Sequence, residues 1–175
     1  MKCYYDTIPF TYFFFKRDTE HEYSPIVKKN YLKSCISVFT SQEFLHHLFK
    51  GDLDRFGVQK SLVEVWRDLS MFEGFFEKEA INLNDVRIHL YDILGGVVRY
   101  RTTHGGFPEE KLHIVDGMDW LHLCVADLMS CEAILTPDKK FENLEALRGN
   151  IPFKSLNTVV LFDPQTMSFI RKFNI

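Results

Sequence analysis

Four acids stand where apolar runs end or helices begin. Asp6 closes the run KCYYD, Glu43 follows ISVFTSQ, Asp119 heads DWLHLCVADL, and Asp138 lies just past AILTP. Parallel strands of one sheet share a carboxyl edge, and ligands of α/β sheets bind at that edge. If Asp6 and Asp138 close strands, while Glu43 and Asp119 lie in the first turns of helices at the same edge, four carboxylates converge. Such a cluster repels itself unless cations neutralise it. Hard oxygen donors with no His or Cys companion suit Mg²⁺ or Mn²⁺. A site of that kind serves metal-assisted phosphodiester hydrolysis, in which water is activated and charge on the phosphate and leaving oxygen is stabilised. Taken singly, each acid reads as a helix cap or turn residue; taken together they read as a metal site.

Other polar residues are weaker candidates. Asp116 shares a helical face with Asp119 at i, i+3, but is first a cap. His122 could reach the site from i+3 of Asp119, although a hydrogen-bonded structural histidine is the better reading. Asp127 and Asp163 read as surface or turn acids. His46, His47 and His104 lack metal-ligand spacing. Lys139-Lys140 beside Asp138, and Arg99-Tyr100-Arg101 with His104, could meet RNA phosphates and stack bases, with a solvated face as the equal alternative. No Ser-His-Asp order or nucleophile elbow is present, and Gly95-Gly96 and Gly105-Gly106 lack the strand-to-helix context of a phosphate loop.

The elements that must position these residues follow from periodicity. Residues 2–7 are β-prone. IPFTYFFF suits a helix with Pro9 in its first turn, or a strand, and its aromatics read as core. Residues 25–33 form a helix behind Ser24, 35–39 the second strand, and 42–49 a helix. Apolar residues from Phe56 to Phe76 recur at helical spacing across 55–77. Asn82 or Asn84 caps the next helix, which includes Ile88, Tyr91, Ile93 and Leu94 and is weakened by Gly95-Gly96. Residues 97–102 suit either a continued helix or an extended arm, and 103–110 a loop. The stretch 116–144 organises the rest: a helix apolar nearly all round, a buried strand at 133–135 stopped by Thr136-Pro137, then Asp138. A short helix at 141–148, a strand at 158–162 and a last helical turn from Asp163 through Phe169 and Ile170 complete the chain. Strands alternating with helices predict a three-layer α/β/α fold around a mainly parallel sheet of about five strands.

The 175 residues suit a single domain, 1–175, with one substantial core. A formal charge of −3 provides no general field for nucleic acid, so RNA binding would need a local basic patch. The four cysteines show no CxxC and lie in apolar segments, as expected of a reduced cytoplasmic chain without disulfides or zinc. Residues 8–15 are too short to span a membrane and lack a cleavage site behind them. The 17 Phe are the one compositional excess.

KCYYDT, ISVFTSQEFL and DWLHLCVADLMSCEAILTPDKKFENL, in that order, resemble the PIN-domain family of metal-dependent ribonucleases, which includes VapC-type toxins. VVLFDPQTMSFI looks like the family's closing strand and helix. The resemblance implies that Asp6, Glu43, Asp119 and Asp138 are the metal-binding and catalytic acids. Thr136 matches the polar residue two before the last Asp, while Ile8 stands where the family commonly has Asn or Ser. It further implies an Mg²⁺/Mn²⁺-dependent endoribonuclease, the toxin of a toxin–antitoxin pair, with RNA, a small antitoxin and a second copy as partners. Two readings stand beside it: a PIN-like RNA- or protein-binding module without cleavage, and an α/β phosphatase using Asp6, for which a D-x-D companion is missing.

Overall fold

β1 (Lys2–Tyr5) lies between two parallel neighbours, β2 (Lys33–Cys35) and β3 (Ala133–Thr136). The computed structural model describes residues 2–16, 33–50, 63–65, 67, 80–104, 115–163 and 168–175. Beyond β3, β4 (Thr158–Asp163) pairs in parallel and β5 (Ser168–Asn174) pairs antiparallel, giving the order β2-β1-β3-β4-β5. The central strands are buried on both faces, as the continuous runs CYY, AILT and TVVLF demand.

Side-chain alternation divides the core into two halves. Tyr4, Ile134, Val159 and Leu161 face one layer, with Ile93 and Val97 of α3 (Leu83–Thr103) and Leu123 of α4 (Gly117–Leu128). Cys3, Tyr5, Leu135, Val160 and Phe162 face the other, with Phe10 of α1 (Thr7–Lys16) and Phe44 and Leu48 of α2 (Val38–Phe49). The Phe10 and Phe44 rings meet edge to face at 5.4 Å. The result is a three-layer α/β fold with a five-stranded, mostly parallel sheet. All four cysteines are buried, and none is in a disulfide. No helix among the described residues is long and apolar enough to cross a membrane.

Several boundaries differ from expectation for identifiable reasons. β2 ends at Cys35, not residue 39, because the Ser37 side chain accepts the Phe39 N–H and starts α2 at Val38. Glu43 is therefore in the second turn of α2. IPFTYFFF is helical, and Phe10 is in the core; the side chains of 12–16 lie outside the described residues. Asn82 caps α3, which runs through Gly95-Gly96 and on to Thr103. A Cβ on Gly96 would stand 2.4 Å from the Asn150 carbonyl oxygen, so this glycine admits a close approach and does not break the helix. The short helix after Asp138 is a 3-10 segment, Lys139–Leu147. The expected last helical turn is instead β5: Phe162 opposes Phe169 and Val159 opposes Phe173, cross-strand pairs that outweigh the local pattern. The expected helix at 25–33 falls outside the described residues except Lys33, which belongs to β2. Most of 55–77 and of the loop at 103–110 also lie outside them, although 63–65 and 67 are helical.

Asp127 is a clear correction. It is buried at 3% exposure in the last turn of α4, not at the surface. Its Oδ1 accepts the N–H groups of Lys154, Ser155 and Leu156, and its Oδ2 accepts His89 Nε2–H at 2.7 Å. These bonds tie α3, α4 and the approach to β4 together. Asp163 is half-buried and closes β4.

Candidate functional site

β1 delivers Asp6 to the carboxyl edge of the sheet, and its N–H continues the ladder to the Leu135 carbonyl at 3.2 Å. The side chain is nearly buried, at 8% exposure. Oδ1 accepts the Thr7 N–H at 2.7 Å and Oδ2 accepts the Thr136 hydroxyl at 2.7 Å. Burial raises the Asp6 carboxyl above its ordinary value, offset in part by His122 and these bonds, while Glu43 adds to the rise.

At the end of β3, Thr136 Oγ1 also accepts the Asp138 N–H at 3.2 Å. One hydroxyl thus links the acids of two strands. Asp138 Oδ1 caps the following 3-10 segment through the Lys140 N–H at 2.8 Å. Lys140 Nζ lies 4.0 Å from the other oxygen, and Lys139 and Lys140 are both exposed.

Asp116 and Asp119 form a reciprocal capping box at the start of α4. Asp116 Oδ1 accepts the N–H groups of Met118 and Asp119, and Asp119 Oδ2 accepts that of Asp116 at 3.0 Å. The cap leaves Asp119 half-buried and within the field of the other acids. Burial chiefly pushes its carboxyl up to about 6; the hydrogen bond from the Asp116 N–H works against this, and the charges of Asp116, Asp6 and Asp138 add to the rise.

Glu43 reaches the same place from α2. Its Oε2 accepts the Thr7 hydroxyl and, at 2.9 Å, His122 Nε2–H. Burial raises this carboxyl, but the bonds from His122 and Thr7 outweigh it, and the net shift is downward. The carboxylate has no proton to give, so the proton of the 2.9 Å contact belongs to His122 Nε2. His122 Nδ1 meets the Tyr4 hydroxyl at 2.8 Å, and that hydroxyl meets Ser37 Oγ at 2.7 Å and Thr40 Oγ1 at 2.9 Å. His122 is 1% exposed, and its Nε2 is 3.8 Å from Asp6 Oδ1. Burial alone would lower its pKa; the Glu43 bond and the charges of Asp6, Glu43 and Asp119 reverse this and raise it.

Ligand atoms of Asp6, Glu43 and His122 all lie within 4.8 Å of one another. The expectation of acids without a histidine companion is therefore revised: His122 is both a hydrogen-bonded core histidine and a neighbour of the cluster. Its i+3 spacing from Asp119 was the available signal. Thr7, directly after Asp6, supplies a hydroxyl to Glu43 although Ile8 cannot.

Arg99 is on α3. It lines a groove with Thr103, Gly149, Asn150, Ile151 and Pro152, and Arg101 is in the same last turns of α3.

No protein-family model matches this chain, and no curated protein matches it. Among solved structures, a chain from the crystal structure of VapBC2 from Rickettsia felis, bound to a DNA fragment from their promoter, matches with a TM-score of 0.55. The match covers 89% of this chain and 97% of that one at 16% identity. At that identity the likeness is one of fold, and the five-stranded sheet between its helices is consistent with a PIN-like architecture.

Proposed function

We propose that this protein is a PIN-like, Mg²⁺- or Mn²⁺-dependent endoribonuclease in which Asp6, Glu43, Asp119 and Asp138 hold the ion. The observation that carries the proposal is the grouping of Asp6 and Glu43, with His122, within 4.8 Å. Asp138, tied to Asp6 through Thr136, and Asp119, whose carboxyl feels the charges of Asp6 and Asp138, are assigned to the same site by this proposal. The donor set fits a hard divalent ion. Asp119 is pushed up to about 6 by burial and by the charges of three acids, a conflict that a cation relieves. When bound, such an ion activates water and stabilises charge building on the scissile phosphate.

The remaining roles belong to the chain's own residues. Thr136 fixes the orientation of Asp6 and the backbone of Asp138, and Asp116 fixes Asp119 by the capping box. Lys139 and Lys140, exposed beside Asp138, are suited to meet the RNA phosphates. Arg99 and Arg101 are assigned to further RNA contacts. In this reading the substrate is single-stranded or looped RNA, the compartment is the cytoplasm, and the whole of 1–175 is one domain. The fold-level likeness to a chain of the VapBC2 structure supports a toxin role with a small antitoxin as partner; a second copy as partner belongs to the same proposal.

Incubation of the purified chain with single-stranded RNA, with Mn²⁺ or with chelator, beside Asp119→Asn, tests the proposal. The expected result is cleavage that needs Mn²⁺ and is lost in the variant by at least about 100-fold, since disturbing residues behind a metal ligand alone costs ~10–100-fold. Cleavage indifferent to both changes rules the site out. One observation favours a non-catalytic PIN-like binding module: protein donors already satisfy Glu43 Oε2. Metal-independent RNA binding without cleavage is the outcome expected of that module.

A further inference from the structure

His122 has both ring nitrogens committed, to partners on two other elements. Nδ1 meets the Tyr4 hydroxyl on β1, and Nε2–H is donated to Glu43 on α2. The Tyr4 hydroxyl in turn meets Ser37, the cap of α2, and Thr40 in its first turn. A closed path of hydrogen bonds therefore runs from the start of α2 through Tyr4 and His122 to Glu43, one turn further along the same helix.

Tyr4 is fully buried and His122 nearly so, so neither ring is free to turn without breaking the core. A half-buried glutamate has three side-chain torsions to fix and loses rotamer entropy when held. Here two donors, the Thr7 hydroxyl and His122 Nε2–H, converge on one oxygen, Oε2. Oε1 receives no hydrogen bond from the described residues, which leaves one oxygen of a fixed carboxylate for an ion.

We infer that the Tyr4–His122 pair is a positioning device for Glu43: it holds the carboxylate in one orientation beside Asp6, ready to bind a divalent ion. His122 acts through Glu43 and touches neither substrate nor leaving group. The geometry stands independently of the nuclease reading, whereas its consequence for ion binding rests on that reading. Outer partners of this kind orient metal ligands elsewhere, and their loss weakens metal binding.

Three variants of the full chain separate positioning from general packing. His122→Leu removes both nitrogens, His122→Gln retains an N–H donor toward Glu43, and Tyr4→Phe removes one hydroxyl while keeping the ring. In metal-free protein, side-chain couplings from isotope-labelled Glu43 report its rotamer. One rotamer is expected in wild type, averaging in His122→Leu and return to one rotamer in His122→Gln. Mn²⁺ titration by calorimetry is expected to show binding weakened about 10–100-fold in His122→Leu, less in Tyr4→Phe, and largely recovered in His122→Gln. If His122→Leu does not fold, Tyr4→Phe carries both measurements. A Glu43 that stays fixed in the folded variants overturns the inference, as does unchanged Mn²⁺ affinity beside a freed Glu43. Wild type that binds no Mn²⁺, while the variants free Glu43, leaves the positioning intact and removes the nuclease reading.

Discussion

Asp127 commits both oxygens to four donors on distant parts of the chain, the N–H groups of residues 154–156 and the imidazole of His89. Truncation to Ala strips all four of their acceptor inside the core. Breaking a buried pair in this way typically costs about 3–5 kcal/mol. Asp127→Ala is therefore expected to lose that much in urea unfolding, and Asp127→Asn, which keeps one acceptor oxygen, distinctly less. A loss below about 1 kcal/mol in the Ala variant, the net value of one ordinary hydrogen bond, would show that the residue is not a structural hub. The sequence hid this role because the partners have no local spacing: His89 is 38 residues earlier and Ser155 is 28 later. A charge inside LCVADLM, a run otherwise apolar, was the only sign that a buried partner was required. His122 was half legible for the same reason. Its i+3 relation to Asp119 can be read along the helix, but its link to Tyr4 spans 118 residues. The places of Asp6, Asp119 and Asp138 in the fold were readable because each stands at the end or the beginning of an element, whereas Glu43 lies in the second turn of α2.

Adjacent glycines in α3 make a test at the scale of the element. Gly95 and Gly96 occupy consecutive helical positions, yet a Cβ on Gly95 would meet only the end of the flexible Arg99 side chain at 3.8 Å. A Cβ on Gly96 would meet the Asn150 carbonyl oxygen at 2.4 Å and a Pro152 ring carbon at 3.2 Å. Gly95→Ala should then stabilise by roughly 0.5–1 kcal/mol through helix propensity. Gly96→Ala should destabilise by about 1–3 kcal/mol, the usual cost of overpacking. Thermal melts of the two variants should move in opposite directions, and a shared direction would show that α3 does not seat against the 150–152 segment as described. Reading Gly95-Gly96 as a weak point in the helix failed because propensity is local, whereas the need for Gly96 arises from a segment more than fifty residues later. The same contest decided β5. Locally, residues after Asp163 suit a helical turn, but the sheet offers the open side of β4, and pairing there gives Phe169 and Phe173 apolar partners. In β2 the outcome went the other way: the cap at Ser37 overrode the β propensity of Val38 and Phe39 and moved Glu43 one turn deeper into α2. Strands backed by continuous apolar runs and the α4 cap were legible because local and tertiary preferences agree there.

For the whole molecule, the carboxylates of this edge make stability depend on pH and, if they hold the proposed ion, on that ion as well. Asp119 is raised to about 6 in the folded protein, so the folded state retains a proton that the unfolded chain, titrating near 4, has released. Its contribution to stability is complete below the unfolded value and is lost as pH rises through about 6. Asp6, also raised, has the same sign. His122 is raised too, so its contribution is present below its unfolded value of about 6.5 and lost as pH rises through its folded value. Glu43 is lowered and has the opposite sign, but its window lies below its ordinary value and adds no slope above pH 5. The metal-free protein should therefore melt at a lower temperature at pH 8 than at pH 5. Divalent ions need their carboxylates ionised, so Mn²⁺ should stabilise more as pH rises. At 100 times its dissociation constant, an ion that binds only the folded state adds about 2.7 kcal/mol. The gap in melting temperature between Mn²⁺ and chelator should accordingly widen from pH 5 to pH 8. In Asp119→Asn the metal-free decline should be shallower and most of the gap should disappear, because one substitution removes both a titrating charge and a donor. A gap of equal size at both pH values, or one that survives in Asp119→Asn, would mean that whatever binds Mn²⁺ is not this edge.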